Sequence, residues 1–302
     1  MLSEEHMAEI NKRIGERIKS IRQQKMMTQR ELCGSVITRN MLSCIENGTA
    51  NPSIKTLEYI AERLNVSAGI LISEDEGNFT LKKSAAIDNI RQAYKNGAYQ
   101  ICIDLCRSLG ETDDEINMIM SHAYMGCARS AFNDGNLKSM CDYIDEAVSY
   151  TEKTMYSDES IVAEASCYFR LSSGIVPTLS VSSSLQSRKW SDDFAAFNNE
   201  FCRYAYTLDM TRSGNMHSMF ETTFKNQSYA KHIKAVQLIN MQQYGDALDI
   251  CKDLIFGTAL FELPIMYIIL RCAELCAKNV DNYKLAYEFS TSAISVLDNM
   301  LK

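Results

Sequence analysis

Apolar residues recur at helical spacing along most of the chain. Near the N-terminus, Ile10, Ile14, Ile18 and Ile21 follow one another at intervals of three or four residues. This spacing places them on one face and predicts an amphipathic helix over about residues 9–25. Only 3 prolines and 13 glycines occur in 302 residues. Because breakers are so few, we expect helix almost throughout.

Four shorter helices are predicted to follow within residues 1–72. Thr28 and Glu31 have the spacing of a capping box, which indicates a second helix that breaks at Gly34. Thr38 can cap a third helix, which Gly48 closes. The inward positions of the third to fifth helices are predicted to be Leu42 and Ile45; Leu57, Ile60, Ala61 and Leu64; and Ile70, Leu71 and Ile72.

A second region of different character begins after an acidic, glycine-containing break at residues 73–78. We expect a first domain at 1–72, a linker at 73–80 and a second domain at 81–302. In the second domain a turn or small residue precedes an aromatic residue or leucine, and another small residue or methionine follows three positions later. The four examples are Gly97-Ala98-Tyr99 with Cys102, Gly135-Asn136-Leu137 with Met140, Gln243-Tyr244 with Ala247, and Asn282-Tyr283 with Ala286.

The intervals between these four examples are 38, 107 and 39 residues. They fit six units of about 37 residues, with two weaker repeats in the middle, which resembles tetratricopeptide (TPR) repeats. The expected architecture is therefore an α-solenoid of about six helical hairpins. The register is weakest over 157–225, where a serine-rich stretch at 180–187 disfavours helix, and we expect irregular geometry there.

Charge is distributed unevenly. The formal net charge is −7, but residues 1–72 carry +2 and the remaining 230 residues carry −9. Residues 12–39 alone hold eight basic side chains against Glu16 and Glu31. This concentration of basic side chains indicates a small surface that contacts phosphates, although a solvated helix face would have the same composition.

Several functional classes find no support in the sequence. No apolar run reaches the roughly 18–20 residues needed to cross a bilayer, and the N-terminus lacks the features of a signal peptide, so we expect a cytoplasmic protein. The 11 cysteines include no C-x-x-C pair and the 4 histidines are scattered. We expect buried free thiols, no metal site and no cofactor. Motifs for nucleophilic or metal-assisted catalysis are absent, so an enzyme is not expected.

Four motifs occur in order along the first domain: Thr28-Gln29-x-Glu31-Leu32, Leu42-Ser43-x-Ile45-Glu46-Asn47-Gly48, Asn51-Pro52-Ser53 and Leu57-x-x-Ile60-Ala61-x-x-Leu64-x-Val66-Ser67. Together they resemble the Cro/cI-type (XRE) DNA-binding domain, and the match covers about 60 residues. The turn between the second and third helices is one residue shorter than the common form, with its glycine at Gly34. This variant is similar to the PlcR/Rgg branch of peptide-sensing (RRNPP) regulators. The resemblance implies a five-helix helix-turn-helix domain and an all-α chain.

By this resemblance the third helix enters the major groove with its first turn toward the bases. Arg39 and Asn40 suit bidentate pairing with guanine and adenine, and Ser43 and Cys44 lie one turn further on. The alternative for each is an idle solvated side chain. Gln29, Asn47 and Asn51 are expected to bind phosphates, whereas Arg22 and Glu46 match a pair that joins helices one and three. The predicted DNA-contacting residues are Gln29, Thr38, Arg39, Asn40, Ser43, Cys44, Asn47 and Asn51.

The repeats predict a concave surface lined by the first helix of each hairpin, suited to an extended or helical peptide. Asn133, Asn240 and Asn279 share a place near the end of the first helix, where an amide can bind a peptide backbone or cap the helix. Asn199 is expected in mid-helix, where capping would not explain it. Arg129 and Arg203 could pair with a peptide carboxylate. The predicted peptide-binding residues are Arg129, Asn133, Asn199, Arg203, Tyr206, His232, Val236, Asn240 and Asn279.

The sequence therefore favours a homodimeric transcriptional regulator whose operator binding is controlled by a signalling peptide of the quorum-sensing type. Domains of this kind read two half-sites about one helical turn apart, which is why a homodimer on a two-fold operator is expected. Two alternatives stay open. The repeats could bind a protein partner, or they could only oligomerise and leave the chain a constitutive repressor.

Overall fold

A computed structural model describes residues 4–72, 79–156, 158–189, 199–214, 224–258 and 260–301. All regular secondary structure in these ranges is α-helical. The chain divides into two compact units, residues 1–88 and 89–302. Most of the predicted linker at 73–80 lies outside the described residues, and a helix already begins at Phe79.

The first unit contains the predicted small helices. They are α1 (Glu4–Gln24), α2 (Gln29–Cys33), α3 (Arg39–Glu46), α4 (Ile54–Leu64) and α5 (Ala68–Ile72). Their core consists largely of the predicted apolar positions, with Ile18, Leu42 and Ile60 fully buried. Burial of each such side chain contributes about 1.5–3 kcal/mol. Ile72 is the exception, because it is 47% exposed.

Local hydrogen bonds begin α2 and α3 as predicted. The Thr28 hydroxyl accepts from the Glu31 amide at 3.2 Å, and the Glu31 carboxylate accepts from the Thr28 amide at 2.7 Å. These bonds complete the capping box, and donation by the Thr28 amide and hydroxyl to the Glu31 carboxylate lowers the pKa of Glu31. Thr38 caps α3 by accepting from the Met41 amide at 3.2 Å. Both helix starts are therefore encoded locally.

The short turn after α2 depends on Gly34. Its φ of +54° is in the left-handed region, and a Cβ there would lie 2.3 Å from the Tyr59 hydroxyl oxygen. Tyr59 Oη donates to the Cys33 carbonyl at 2.9 Å, and Arg63 donates to the Glu31 carbonyl. Side chains of α4 thus donate hydrogen bonds to carbonyls at the end of α2.

Helices α1 and α3 approach each other backbone to backbone. A Cβ at Gly15 would lie 2.0 Å from the Ile45 carbonyl oxygen, and a Cβ at Gly48 would lie 2.6 Å from Lys12 Cα. Only glycine permits this separation. The position of α3 is therefore set by a close contact with α1 at both glycines.

Most of the remaining helices belong to the second unit. They are α6 (Phe79–Lys95), whose first residues fall in the first unit, α7 (Tyr99–Arg107), α8 (Asp114–Asn133), α9 (Leu137–Glu152), α10 (Glu159–Ser173), α11 (Ser183–Ser187), α12 (Glu200–Arg212), α13 (Gln227–Asn240), α14 (Tyr244–Phe256), α15 (Leu263–Asn279) and α16 (Tyr283–Met300). The pairs α8–α9, α13–α14 and α15–α16 pack as hairpins.

One turn geometry occurs at all four positions where the sequence pattern recurs. Gly97, Gly135, Gln242 and Asp281 each have a φ between +56° and +78°. The amide of the next residue bonds back to the carbonyl five positions earlier, as in Asn136 to Ala131 at 2.8 Å and in the three equivalent turns at 2.9 Å. This is the Schellman arrangement of a helix end. The repeated sequence pattern therefore encodes a repeated turn.

The last residue of the pattern is a core residue in all four examples, as predicted for Cys102. Cys102, Met140, Ala247 and Ala286 are each at most 1% exposed. The predicted irregularity is also present: after α10 the chain runs without a long helix to the five-residue α11. Helix α12 follows and packs on α10 and α13. The regular repeats thus flank an irregular centre.

The second unit also makes contacts between distant hairpins. Helix α15 packs on α8, and Met300 and Leu263 lie against Gly135, in the turn between α8 and α9. Inside, a chain of buried rings crosses from α8 to α13. The closest pairs are Tyr168 with Phe201 at 4.4 Å and Tyr204 with Tyr229 at 4.2 Å between ring centroids. These rings hold the first helices of the repeats together.

Candidate functional site

Helix α3 has one buried face and one exposed face. Leu42, Ile45 and Glu46 are at most 3% exposed, whereas Arg39 and Asn40 are exposed at its N-terminal end. The predicted base-reading residues therefore stand on the free face of a helix whose other face is fixed. Of the remaining predicted DNA contacts, Ser43 is half-buried and Thr38, Cys44, Asn47 and Asn51 are exposed.

A buried ion pair ties α1 to α3. Arg22 Nε donates to Glu46 Oε1 at 2.6 Å, and the guanidinium also donates to Oε2 at 3.1 Å. Another Arg22 nitrogen donates to the Met27 carbonyl at 2.8 Å. The hydrogen bond to Glu46 raises the pKa of Arg22. The predicted scaffold role of this pair is confirmed.

Gln29 has contacts that the sequence did not indicate. Its Nε2 donates to Glu46 Oε2 at 2.8 Å, and its Oε1 accepts from Arg39 Nε at 3.4 Å. A continuous set of hydrogen bonds thus runs from Arg22 through Glu46 and Gln29 to Arg39. Gln29 can orient Arg39, since its amide is itself oriented by a buried carboxylate. Its predicted phosphate contact stays a prediction.

The second unit places Arg129 in a specific ion pair. Its Nε and one terminal nitrogen donate to the two Glu164 oxygens at 2.7 and 2.8 Å. The hydrogen bonds raise the pKa of Arg129. Sequence reasoning missed Glu164, whose signal was a carboxylate between Ala163 and Ala165 in the apolar middle of α10. A ligand carboxylate at Arg129 would have to compete with this pair.

Two predicted peptide contacts are buried in the core. Val236 is 3% exposed and His232 has no exposed surface. His232 Nδ1 shares a hydrogen bond of 2.6 Å with the Tyr204 hydroxyl, and burial lowers the pKa of its imidazole to about 3. The expectation that both line an open surface is wrong for this structure, because the inner helices pack directly on one another through buried side chains.

The predicted asparagines differ in their surroundings. Asn133, Asn240 and Asn279 each end a first helix, as expected. Asn240 Nδ2 donates to the Thr211 carbonyl on α12, and Asn279 Nδ2 donates to Leu275 within its own helix at 2.8 Å. The mid-helix placement of Asn199 is wrong. Asn199 is the N-cap of α12 and accepts from the Phe201 amide at 2.9 Å, so capping accounts for its residue type.

Arg203 and Tyr206 complete the predicted set. Both are half-buried on α12. The buried Nε of Arg203 has no hydrogen-bond partner among the described residues. Arg203 thus lacks the carboxylate partner that Arg129 has in Glu164.

A groove of about 510 Å³ lies elsewhere on the second unit, between the first turns of α7 and α9 above the end of α8. Tyr99, Ile101, Ala131, Asp134 and Tyr143 contribute to its walls. None of the predicted peptide-binding residues lines it. The structure thus offers an open groove that the sequence did not indicate.

Comparison with known families concerns the first unit. Residues 18–71 match the helix-turn-helix family HTH_3. The immunity repressor protein of Bacillus phage phi105 is 35% identical over 63 residues, which are 20% of this chain and 44% of the repressor. The antitoxin PezA of Streptococcus pneumoniae is 41% identical over 64 residues, 21% of this chain and 40% of the antitoxin. The chain spans less than half the length of these curated relatives.

Among solved structures, the chain is similar to Bacillus thuringiensis PlcR in complex with the peptide PapR7 and DNA, with 15% identity, coverage of 95% and 96% of the two chains and a TM-score of 0.27. It is also similar to ComR from S. thermophilus in complex with DNA and its signalling peptide ComS, with 14% identity, coverage of 94% and 99% and a TM-score of 0.26.

The first unit is a helix-turn-helix domain of the XRE type, with α2 and α3 as its two central helices. This class of domain binds DNA. In the part of the chain that the structure describes, no helix is long and apolar enough to cross a membrane.

Proposed function

We propose that the chain is a transcriptional regulator that binds a two-fold operator as a homodimer and responds to a peptide held by its second unit. The observation that supports the DNA function best is the exposed end of α3. There Arg39 and Asn40 are exposed and can face bases, while the opposite face of the helix is held by α1 and by the Arg22–Glu46 pair. A rigid support of this kind is what base readout requires.

Base readout and phosphate contacts have different expected consequences. Arg39 and Asn40 would choose the sequence, whereas Asn47 and Asn51 would fix the register without reading it. The net charge of +2 over residues 1–72 is small. Affinity of one domain for DNA would then be modest, and tight binding would require two domains on one operator.

The peptide part of the proposal rests on the resemblance to peptide-sensing regulators and on the inner helices of the repeats. Arg203 is half-buried on α12 and offers one recognition point for an acidic group. Asn133 and Asn279 are exposed at helix ends and could bind a peptide backbone. His232 and Val236 are buried and are not part of the proposed set of contacts.

The DNA function is tested by selecting operator sequences from a pool of random duplexes with the purified chain. Titration of the selected duplex should then show that Arg39→Ala weakens binding by about 1–3 kcal/mol, or roughly 5- to 150-fold, and relaxes the sequence preference at one position. Lys234→Ala, an exposed lysine on α13, is the control and should bind as the wild type does. If no duplex is enriched, or if Arg39→Ala binds equally well, the proposed readout is incorrect.

The peptide function is tested with synthetic peptides encoded by small open reading frames beside the gene. Calorimetry should detect binding, Arg203→Ala should weaken it about tenfold, and peptide should shift the operator affinity of the wild type. If operator binding is intact but no peptide binds, the second candidate function is favoured. In that case the repeats bind a protein partner or only oligomerise.

A further inference from the structure

The groove at the first turns of α7 and α9 lies away from the predicted peptide contacts of the inner helices. Cys127 and Ala131 of α8, and Asp134 directly after it, contribute to the walls of the groove. At 3.6 residues per turn each of these positions lies at least about 140° around the helix from Arg129. A ligand in the groove would therefore leave the pair of Arg129 with Glu164 in place.

We propose that this groove binds an extended segment of a partner protein that carries a lysine or arginine next to an apolar side chain. The site is additional to the peptide site of the proposed function and does not depend on it. The volume of about 510 Å³ is in the range of ordinary ligand sites, about 300–1,000 Å³. Because the groove is open to solvent, it can take a few side chains of a longer chain.

The walls of the groove offer apolar contact area. Tyr99 of α7 and Tyr143 of α9 are half-buried, and Ile101 remains 58% exposed in the first turn of α7. The Tyr99 ring packs on Gly126, where an added Cβ would lie 2.5 Å from Tyr99 Cδ2. This ring is therefore fixed before a ligand arrives, and a fixed contact surface lowers the entropic cost of binding.

The charge around the groove favours a cationic side chain. Residues 99–107 and 134–152, which comprise α7, α9 and the turn before α9, hold six carboxylates against Arg107 and Lys138. Arg107 already donates to the Tyr124 hydroxyl. Asp134 lines the groove, is exposed and forms no ion pair within the described residues. A lysine or arginine placed there would be attracted to Asp134 and to the tyrosine rings, whereas an acidic segment would be repelled.

The start of α7 leaves main-chain donors available at the same groove. At two equivalent turns, Asn136 and Asn282 each accept from an amide in the first turn of the helix that follows. Ala98 occupies the same position, and its φ of −80° and ψ of 60° are close to the −79° and 77° of Asn136. It cannot cap the helix, so no side chain among the described residues accepts from the first amides of α7.

These amides can instead donate to a carbonyl of an extended segment. Alanine is a poor N-cap residue compared with asparagine. Departures from the locally favoured residue are typical of functional sites. Ala98 thus fits a position where the helix start is kept open for a ligand.

The test begins with selection from short random peptides displayed on phage, with the purified full chain as bait. A double variant, Ile101→Lys/Asp134→Lys, is shown to be folded by circular dichroism and is used to remove peptides that bind elsewhere, including those that bind the inner helices. We expect the remaining peptides to share a lysine or arginine beside an aromatic or aliphatic residue. If every selected peptide also binds the double variant, or if basic residues are not enriched, the proposal is incorrect.

Single variants are then compared by the fluorescence anisotropy of a labelled synthetic copy of the most enriched peptide. Asp134→Lys should weaken binding about tenfold, and Ile101→Gln should do so to a similar extent because apolar contact is lost, about tenfold. Glu152→Lys is the matched control, with the same change in net charge. Glu152 is exposed at the far end of α9, about 13 Å along the helix from Tyr143 and beyond the screening length of about 8 Å, so binding should be unchanged.

Ala98→Asn tests the main-chain donors separately. The new cap should raise the midpoint of thermal unfolding and should weaken the peptide about threefold, because the amide then has an acceptor within the chain. A more stable Ala98→Asn variant with unchanged affinity, or equal losses in Asp134→Lys and Glu152→Lys, would overturn the proposal. So would a change in the oligomeric state of Asp134→Lys in sedimentation, which would assign the groove to a second copy of the chain. No step involves DNA, so operator binding reports on the proposed function independently.

Discussion

Replacement of Gly15 by alanine should displace the helix that is expected to read DNA. The added Cβ would lie 2.0 Å from the Ile45 carbonyl oxygen, whereas ordinary contacts begin at 3.4 Å. The obstacle is backbone at the end of α3 and cannot rotate away. Helix α1 must therefore retreat by about 1–1.5 Å, since close-packed interiors do not absorb such an overlap.

The magnitude follows from what α1 buries. Ile14, Ile18 and Ile21 are at most 6% exposed, and each contributes about 1.5–3 kcal/mol when buried. A radial gap of about 0.5–1 Å forfeits a quarter to a half of a contact energy, which gives a loss of about 1–4 kcal/mol over the three residues. The better helix propensity of alanine returns about 1 kcal/mol. We expect a net destabilisation of about 2 kcal/mol.

Amide hydrogen exchange followed by mass spectrometry measures this loss locally. Protection in α1 and α3 should fall roughly 30-fold, by the relation of about 1.4 kcal/mol per factor of ten, and operator affinity should fall with it. Gly69→Ala is the matched control, because the nearest atom to its Cβ would be 3.8 Å away. Unchanged exchange in α1 and α3 of the Gly15 variant would refute the reasoning.

Two further predictions concern the second unit. Gln242 has a φ of +59° in a helix-ending turn, so Gln242→Gly should raise the unfolding free energy by about 0.5–1 kcal/mol. Gly97 has a positive φ in the equivalent turn, so Gly97→Ala should lower the unfolding free energy by about 1 kcal/mol. Thermal denaturation checks both, and a loss of stability in Gln242→Gly would contradict the proposed strain. The pKa of His232 is about 3, below its ordinary 6.5, so the unfolded chain binds the extra proton and stability falls as pH drops below about 6.5. Between pH 7 and pH 5 the wild type should therefore lose about 2 kcal/mol more than His232→Gln does; parallel pH profiles in denaturant titrations would argue against a neutral buried imidazole.

The features that the sequence predicted correctly are those encoded by neighbouring residues. The capping box at Thr28 and the cap at Thr38 form over three positions. The four repeated turns close over six residues, and their pattern of a small residue three places after an aromatic residue or leucine is short enough to recognise. Helical periodicity likewise identified the core isoleucines of α1. All of these depend on local geometry alone.

The features that were missed depend on residues far apart in the chain. Gly15 appears in sequence as an ordinary helix glycine, and its purpose is visible only once Ile45 is beside it. Arg129 seemed available for a ligand because Glu164, its partner, lies 35 residues away. His232 was assigned to an open surface because the register gives the face of a helix but not what packs against it. Asn199 was misplaced because the start of α12 lacks a periodic signal.

The contact of Met300 and Leu263 with Gly135 has a consequence for how the second unit unfolds. A linear repeat array behaves as a chain of nearly independent modules, each coupled only to its neighbours, and it can lose modules from one end. Here the end of α16 packs against a turn 165 residues earlier in the chain. Removal of the last turn of α16 would therefore loosen the second hairpin as well as the last one. Because distant hairpins contact each other directly, they share stability. Fraying from the C-terminal end of α16 is therefore suppressed.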